Sequence, residues 1–220
     1  KVYVCNGSAC MLAGTQKKLH KKLKKEFDEN EIGEMCCLGR CHENSAFHTN
    51  GQNFSGEDIN KIEKIKKGKS KTSEKYYVGS KGTPILTAEY PAIKEYYKIF
   101  TSCLSMKKDD LLVQLKESGL RGRGGAGFPM AFKLESCKNE ASGSKFIVCN
   151  ADEGDPGAYS DRYILENRPH AMLMGMMIAG FIAGANCGVV YIRAEYPESI
   201  TIISDCIEAL KKEKLIGENI

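Results

Sequence analysis

Two pairs of cysteines near the N-terminus have a spacing that could support metal chemistry. Cys5 and Cys10 are separated by four residues, Cys37 and Cys41 by three, and each pair follows a β-like run. Thiolates are soft ligands that suit zinc or iron–sulfur clusters. Zinc sites usually use Cys-x2-Cys, so these wider gaps favour two irons, each held by one pair. The spacing alone leaves three interpretations open: a cluster, a zinc ion and no metal.

The distribution of the ten cysteines favours a reducing compartment. Five of them fall within the first 41 residues and the other five are scattered singly, whereas a secreted disulfide framework would space them more evenly. No signal peptide precedes Cys5, and the chain does not begin with Met, so we expect it to start after a missing or processed segment. The expected location is the cytoplasm or an organelle matrix.

A glycine-rich run forms a second candidate site. Gly122, Gly124 and Gly127 satisfy G-x-G-x-x-G, but the pattern predicts a helix before them, whereas the dinucleotide fingerprint follows a strand. The simple alternative is a flexible loop. Glycines nevertheless allow backbone amides to approach an anion closely, so the run is also a candidate phosphate-binding loop.

An acidic run, Asn150 to Gly157, directly follows a predicted buried strand that contains Phe146, Ile147 and Val148. An acidic loop at the end of a strand could bind a cation or cap the next helix. From the residues alone both roles stay open.

The hydrophobic patterning predicts two α/β blocks. Residues 1–67 read as a compact β-α-β-β-α unit, with Asn50-Gly51 as the turn of its hairpin. Residues 68–104 are predicted to be a linker, because they are first polar and then weakly patterned. In residues 105–220, helices alternate with strands, which predicts an α/β layer.

Two further classes of function are weighed on charge and hydropathy. The first 110 residues carry 20 Lys and Arg against 14 Asp and Glu, and the rest carry 12 against 14. A nucleic-acid partner is not predicted, because no aromatic residues are interleaved with the lysines. Residues 171–192 are nearly uncharged, so a transmembrane helix is one interpretation of this segment. We favour the other, a buried helix followed by a strand.

The cysteine motifs resemble those of a known family. Val4-Cys5-Asn6-Gly7-Ser8-Ala9-Cys10 and Cys37-Leu38-Gly39-Arg40-Cys41 are similar to the thioredoxin-like [2Fe–2S] ferredoxins, which occur as the 24-kDa-type subunit of complex I and as N-terminal domains of bifurcating-hydrogenase flavoproteins. The resemblance implies that the cluster ligands are Cys5, Cys10, Cys37 and Cys41. Cys36 is then a surplus thiol, and His42 and His48 are expected to be exposed loop residues rather than ligands.

The string from Ser118 to Pro129 resembles the nucleotide loop of the 51-kDa-type NADH-binding flavoprotein of complex I and its hydrogenase and formate dehydrogenase relatives. The resemblance implies that the loop and a later lysine bind FMN or NAD(P)H. These residues are Gly122, Arg123, Gly124, Gly125, Ala126, Gly127, Phe128 and Lys133.

The acidic run resembles the loop at the flavin edge in the same family. By that resemblance Asn150, Asp152 and Glu153 contact FMN, and Asp155 lies where nicotinamide meets the flavin. Asp155 and Glu153 are therefore the candidate catalytic residues. The sequence Gly-Asp-Pro-Gly-Ala is more similar to the hydrogenase and formate dehydrogenase branch.

Together the resemblances imply a thioredoxin-like [2Fe–2S] domain (1–67), a linker (68–104) and the first part of a Rossmann-like FMN/NAD-binding α/β domain (105–220). The implied function is a subunit that oxidises NAD(P)H and passes electrons through FMN to iron–sulfur clusters. Its expected partners are other subunits of a hydrogenase, formate dehydrogenase or complex I-like assembly, without membrane insertion. Because the match ends inside the domain, we expect low activity from this chain alone. The alternatives are a non-enzymatic electron carrier and a zinc-binding interaction module.

Overall fold

The computed structural model describes residues 1–72, 78–123 and 125–217. The chain divides into two compact units, and each of them is built from separate stretches of sequence. The first unit comprises Lys1–Thr87, Ala151–Asn167 and Ile192–Ile207, and the second comprises Ala88–Asn150, Arg168–Tyr191 and Glu208–Ile220. Two segments that follow residue 150 therefore fold with the N-terminal 87 residues.

The N-terminal part of the first unit is a four-stranded mixed sheet with short helices. Its elements are β1 (Val2–Cys5), α1 (Ser8–Leu12), α2 (Gln16–Leu23), β2 (Ile32–Met35), β3 (Phe47–Thr49), β4 (Gln52–Phe54) and α3 (Ile62–Lys66), with 3-10 turns at Glu29–Glu31 and Asp58–Lys61. The strand order is β2-β1-β3-β4. Strands β1 and β2 are parallel, and the other pairs are antiparallel. The predicted β-α-β-β-α order is confirmed, with α1 added.

The core of this part follows the predicted helical periodicity. Leu19 and Leu23 of α2 are buried together with Phe27, against the sheet residues Phe47 and Phe54. The two phenylalanine rings of the sheet stack with centres 5.4 Å apart. The lysines of α2 lie on its other side, so the basic stretch is a solvated helix face.

The β3–β4 hairpin has the turn that its sequence predicts. Asn50 has φ 51° and Gly51 has φ 73°, which are the positive values that a two-residue type I′ turn requires. The Asn50 amide nitrogen Nδ2 also donates a hydrogen bond to the Ile65 carbonyl at 2.7 Å. The turn is therefore fixed both by its own conformation and by its contact with α3.

Seven helices and two strands follow in the described part of the chain. They are α4 (Ile93–Tyr96), α5 (Lys98–Leu104), α6 (Lys108–Glu117), α7 (Met130–Asn139), β5 (Phe146–Ala151), α8 (Ser160–Asn167), α9 (Pro169–Ala183), β6 (Cys187–Ile192) and α10 (Pro197–Lys212). Strands β5 and β6 pair as a two-stranded sheet. The alternation of helices and strands that was predicted for this region is confirmed, although α7 and α8 were not anticipated.

The core of the second unit packs α6 and α7 against α9. Leu111, Leu112 and Leu134 are buried with Ile182 and Ala183. No helix in the described residues is long and apolar enough to cross a membrane. Helix α9 has 15 residues and ends at Gly184 with φ 73°, after which β6 begins. Residues 171–192 thus form a helix and a strand, as the α/β interpretation predicts.

The predicted linker contains ordered structure in its second half. Helices α4 and α5 lie within it, and Tyr97 and Phe100 are buried. The Tyr97 hydroxyl lies 3.1 Å from Nδ1 of His170, and the Tyr90 hydroxyl accepts a hydrogen bond from the Ala171 amide. These contacts are made by aromatic and polar side chains. Aliphatic residues do not recur here at helical spacing, so the hydrophobic pattern of the sequence did not reveal the helices. Residues 73–77 of the predicted linker lie outside the described residues.

The hairpin turn provides a test of the first unit. We expect Gly51→Ala to lower the free energy of unfolding by about 1–2 kcal/mol, because a Cβ disfavours the left-handed conformation. Gly51→Asn should cost less, since Asn tolerates positive φ. Urea unfolding at equilibrium measures both. Equal losses for Ala and Asn would contradict the I′ assignment.

Candidate functional site

The parallel pairing of β1 and β2 brings the two cysteine motifs to one edge of the sheet. Cys5, the last residue of β1, is in register with Met35, the last residue of β2. Because the strands run in the same direction, the loops that follow them leave from the same edge. The loop after β1 leads into α1, which carries Cys10, and the loop after β2 carries Cys37 and Cys41.

The four thiols form two pairs. Cys10 and Cys5 share a hydrogen bond that lowers the pKa of Cys5 and raises that of Cys10. The sulfurs of Cys37 and Cys41 are 3.4 Å apart. Burial, and then the hydrogen bond with Cys37, raises the pKa of Cys41 to about 11. Cys5, Cys10 and Cys37 are at most 2% exposed, whereas Cys41 is partly exposed, so three of the four thiols are enclosed by protein.

The two pairs lie against each other. A Cβ added at Gly7, between Cys5 and Cys10, would lie only 3.1 Å from the Cys37 Cα. The charge of Cys5 also contributes, as a small effect, to the raised pKa of Cys41. Among the described residues, no three or more His, Cys, Asp or Glu side chains are grouped as the ligands of a single metal ion. The four thiols are arranged instead as two neighbouring pairs.

The neighbouring thiol and histidines are placed differently from these four. Cys36 is exposed, whereas Cys37 is buried with φ 24°. His42 is half-buried, with its ring 5.6 Å from that of Tyr159, and burial lowers its pKa. His48 lies in β3 and its Nδ1 is 2.7 Å from the Asn53 side-chain oxygen. The two histidines are thus more enclosed than we predicted.

Three residues outside the cysteine motifs contact the cysteine site, a role that the sequence did not reveal. The Gly157 amide donates a hydrogen bond to the Cys41 sulfur at 3.1 Å. Arg162 donates to the Gly39 carbonyl, in the middle of the Cys37–Cys41 loop, at 2.8 Å. Asn53 is buried in β4 and its Nδ2 donates to the Leu38 carbonyl at 3.0 Å. All three contacts lie within the first unit.

The acidic loop caps a helix through one of its carboxylates. Glu153 is 8% exposed, and its Oε1 accepts hydrogen bonds from the Asp161 amide at 3.0 Å and the Ser160 hydroxyl at 3.1 Å. Its Oε2 accepts from the Arg162 amide at 3.2 Å. These donors form the first turn of α8, so the helix-capping interpretation holds for Glu153. Asp152 and Asp155 are exposed.

The two ends of the glycine-rich loop are joined by hydrogen bonds just before α7 begins. The Gly122 amide donates to the Phe128 carbonyl at 2.8 Å, and Arg121 donates to the Gly127 carbonyl at 3.1 Å. Gly125 and Gly127 have φ of 118° and 60°, values that side chains disfavour. The Lys133 ammonium lies 5.8 Å from the Phe128 ring centre, beside the loop. Lys133 thus lies beside Phe128, and its role in binding FMN or NAD(P)H stays a prediction.

The remaining predicted residues fall in different units. The glycine-rich loop, Lys133 and Asn150 belong to the second unit, and Asp152, Glu153 and Asp155 belong to the first. Arg123, Ala126 and Phe128 are exposed. Gly124 lies outside the described residues. Convergence of the two loops on one ligand thus stays a prediction.

The comparison with protein families concerns the C-terminal half of the chain. Residues 115–218 match the family model described as the Nuo51 FMN-binding domain. For these residues the predicted resemblance to the NADH-binding flavoprotein is confirmed. The match does not include residues 1–67, so the ferredoxin resemblance stays a prediction.

Two curated relatives are similar to more than half of the chain. A subunit of the NADH-quinone oxidoreductase of Aquifex aeolicus is 40% identical over 124 residues, 56% of this chain and 29% of the relative. The NADP-reducing hydrogenase subunit HndC of Solidesulfovibrio fructosivorans is 42% identical over 132 residues, 60% of this chain and 26% of the relative. The chain thus spans less than a third of the length of either relative.

Similarity to solved structures extends over nearly the whole chain. The crystal structure of NAD+-reducing [NiFe]-hydrogenase in the air-oxidized state aligns with 98% of this chain and 41% of its own, with a TM-score of 0.76 and 25% identity. Unlike the family model, this similarity includes the N-terminal residues. The chain therefore has a mixed α/β fold similar to that of a chain of this hydrogenase.

The Glu153 cap provides a test of the acidic loop. We expect Glu153→Ala to speed hydrogen exchange of the Asp161 and Arg162 amides about fivefold, since a helix cap contributes about 1 kcal/mol. Asp155→Ala, in the same loop but exposed, is the control and should leave both rates unchanged. Unchanged exchange in Glu153→Ala would show that the carboxylate does not hold α8.

Proposed function

We propose that this chain is part of a flavin- and iron–sulfur-containing subunit that oxidises NAD(P)H, as in NAD-linked hydrogenases and complex I. The observation that carries the proposal is the presence of two neighbouring, largely buried thiol pairs in a chain whose residues 115–218 match the Nuo51 FMN-binding domain. A flavin domain delivers electrons that an iron–sulfur centre can accept singly. The two halves of the chain thus suit successive steps of one electron path.

The thiol pairs fit a [2Fe–2S] cluster better than a single zinc ion. Such a cluster needs two thiolates for each of its two irons, whereas structural zinc draws four ligands around one point. Cys5 with Cys10 and Cys37 with Cys41 supply two such pairs. The Gly157 amide supplies a hydrogen bond of the kind that supports cluster sulfurs. When bound, the cluster would accept one electron at a time.

The fold supports a thioredoxin-like ferredoxin assignment for residues 1–67. The parallel β1–β2 pair, followed by the β3–β4 hairpin and α3, matches the element order expected from the resemblance. The hydrogenase chain, with its TM-score of 0.76, is similar over 98% of this chain, including these residues. We take residues 105–220 as the first part of the FMN/NAD-binding domain.

We propose that the glycine-rich loop binds a phosphate group of FMN or NAD(P)H. Its exposed backbone leads into α7, whose N-terminal amides favour an anion. Lys133, on the first turn of α7, places a positive charge beside the loop. The residues proposed for this role are Gly122, Arg123, Gly124, Gly125, Ala126, Gly127, Phe128 and Lys133.

The acidic loop is proposed to face the reacting rings. Asp155 and Asp152 are exposed at the surface, where a ligand can reach them, and Asn150 is the second-to-last residue of β5, just before the loop. Glu153 has its carboxylate occupied by α8, so we propose that it contributes by holding the loop in shape. FMN, when bound, supplies the chemistry that converts hydride transfer from NAD(P)H into single-electron transfer. Other subunits of a hydrogenase or complex I-like assembly would receive the electrons.

The cysteine assignment predicts different effects for two adjacent residues. In anaerobically prepared protein, Cys37→Ser should lose most of the visible absorbance of the cluster, because Cys37 is buried 3.4 Å from Cys41. Cys36→Ser is the matched control and should keep it, since Cys36 is exposed. The reverse pattern would move the assigned ligand by one residue, and no absorbance in the unaltered chain would remove the cluster from the proposal.

Lys133 tests the proposed phosphate site. We expect Lys133→Gln to weaken FMN or NADH binding by about tenfold or more, since a charged hydrogen bond contributes about 1.5–3 kcal/mol. Fluorescence titration measures the dissociation constants. Lys116→Gln is the control, because Lys116 is an exposed lysine of the same unit that pairs with Glu135. Equal affinities of the Lys133 variant and the unaltered chain would place the phosphate elsewhere.

A further inference from the structure

The loop between Cys37 and Cys41 rests on aromatic and cationic side chains from residues 162–196. A Cβ added at Gly39 would lie 2.7 Å from Cε1 of Tyr196 and 3.3 Å from Nη1 of Arg162. Gly39 also has φ 70°, so both its conformation and its surroundings require glycine. The backbone of the loop at Gly39 thus packs so closely against Tyr196 and Arg162 that no side chain would fit between them.

Arg162 directs its positive charge at this loop. It is 3% exposed, and its Nη1 donates to the Gly39 carbonyl at 2.8 Å. Its Nε donates to Glu166 at 2.8 Å, and Ser199 donates to the same carboxylate oxygen. The guanidinium therefore lies between the loop and Glu166: Nη1 contacts the loop and Nε contacts the Glu166 carboxylate. The loop faces the positive member of this ion pair.

Arg193 holds a second charge in the same group. Its guanidinium lies 5.2 Å from the centre of the Tyr196 ring, and that of Arg162 lies 5.6 Å from it. Nη1 of Arg193 donates to the Glu153 carbonyl at 2.5 Å, and its Nε pairs with Glu195 at 3.3 Å. Arg193 thus connects the acidic loop to the ring that supports Gly39.

Both guanidinium groups of this group are buried. The Arg162 side chain is 3% exposed and the Arg193 side chain is 8% exposed. Because buried charges are screened less than exposed ones, both positive charges act on their surroundings with little attenuation.

We propose that Arg162, Tyr196 and Arg193 form a cationic platform that positions the Cys37–Cys41 loop and raises the reduction potential of the cluster bound there. This inference rests on the proposed function, because it presupposes the [2Fe–2S] cluster. The three are positioning residues, because they act on the cluster indirectly: they hold the Cys37–Cys41 loop in place, and the arginines contribute positive charge near it.

The physical reason is the charge of the added electron. Reduction makes the site one unit more negative, and nearby buried positive charge stabilises that form. Guanidinium groups keep their charge at every working pH, so the effect is constant. Glu166 and Glu195 oppose it in part, each as the partner of one arginine. The sign of the net effect on the potential depends on which member of each ion pair lies nearer the Cys37–Cys41 loop. In the Arg162–Glu166 pair it is Arg162 that contacts the loop directly, so the positive charge prevails.

The test is an anaerobic redox titration of the full 220-residue chain, followed by electron paramagnetic resonance of the reduced cluster. Arg193→Gln and Arg162→Gln should each lower the ratio of reduced to oxidised cluster at a fixed potential about tenfold, or about 59 mV for a one-electron couple. Arg193→Lys should restore most of this shift, because it keeps the charge. Lys21→Gln, an exposed lysine of the same unit, is the charge-matched control and should change nothing.

A variant that should shift the potential in the opposite direction keeps the proposal testable if an arginine variant does not fold. Glu195→Gln removes the negative partner of Arg193 and should raise the potential. Equal shifts in Arg193→Lys and Arg193→Gln, or no rise in Glu195→Gln, would overturn the platform. Absence of iron and sulfide from the unaltered chain would instead overturn the proposed function, so the two failures are distinguishable.

Discussion

The parallel pairing of β1 with β2 is the constraint on which the cysteine site depends. Its register aligns Cys5 with Met35, so both cysteine loops leave the sheet at the same edge. A shift of one residue would turn the alternate side chains of β1 to the opposite face of the sheet and separate the motifs. Gly7 then permits the final approach, because its missing side chain leaves room for the Cys37 backbone. The pairing of the strands and the close approach at Gly7 are therefore what bring the four thiols together.

The second constraint is the return of distant segments to the N-terminal unit. Residues 151–167 and 192–207 fold with residues 1–87, so the acidic loop and the cysteine site share one unit. Glu153 shows the consequence: its carboxylate holds α8, and its carbonyl accepts the hydrogen bond from Arg193. Disturbing the cysteine loop would therefore affect the acidic loop through a short chain of hydrogen bonds. Under the proposed function, this connection joins the cysteine site to the loop that is proposed to face the flavin.

Local signals in the sequence predicted the elements well and their long-range contacts poorly. The Asn50-Gly51 turn and the helical period of α2 depend on neighbouring residues, so the pattern reveals them directly. Arg162, Arg193 and Tyr196 act on the site only because residues more than a hundred positions away fold beside it. No local period marks such residues. Glu153 was singled out for its acidity, and its hydrogen bonds show that it caps α8, a role that composition alone left open.

The most direct test of the account is the metal and sulfide content of anaerobically purified protein. The account predicts two irons and two acid-labile sulfides per chain, with a single-electron reduction that produces a paramagnetic signal. The two thiol pairs are then the ligands of a binuclear centre. One zinc per chain without sulfide would contradict this account, because the site would then be structural and the electron path would have no acceptor in this chain.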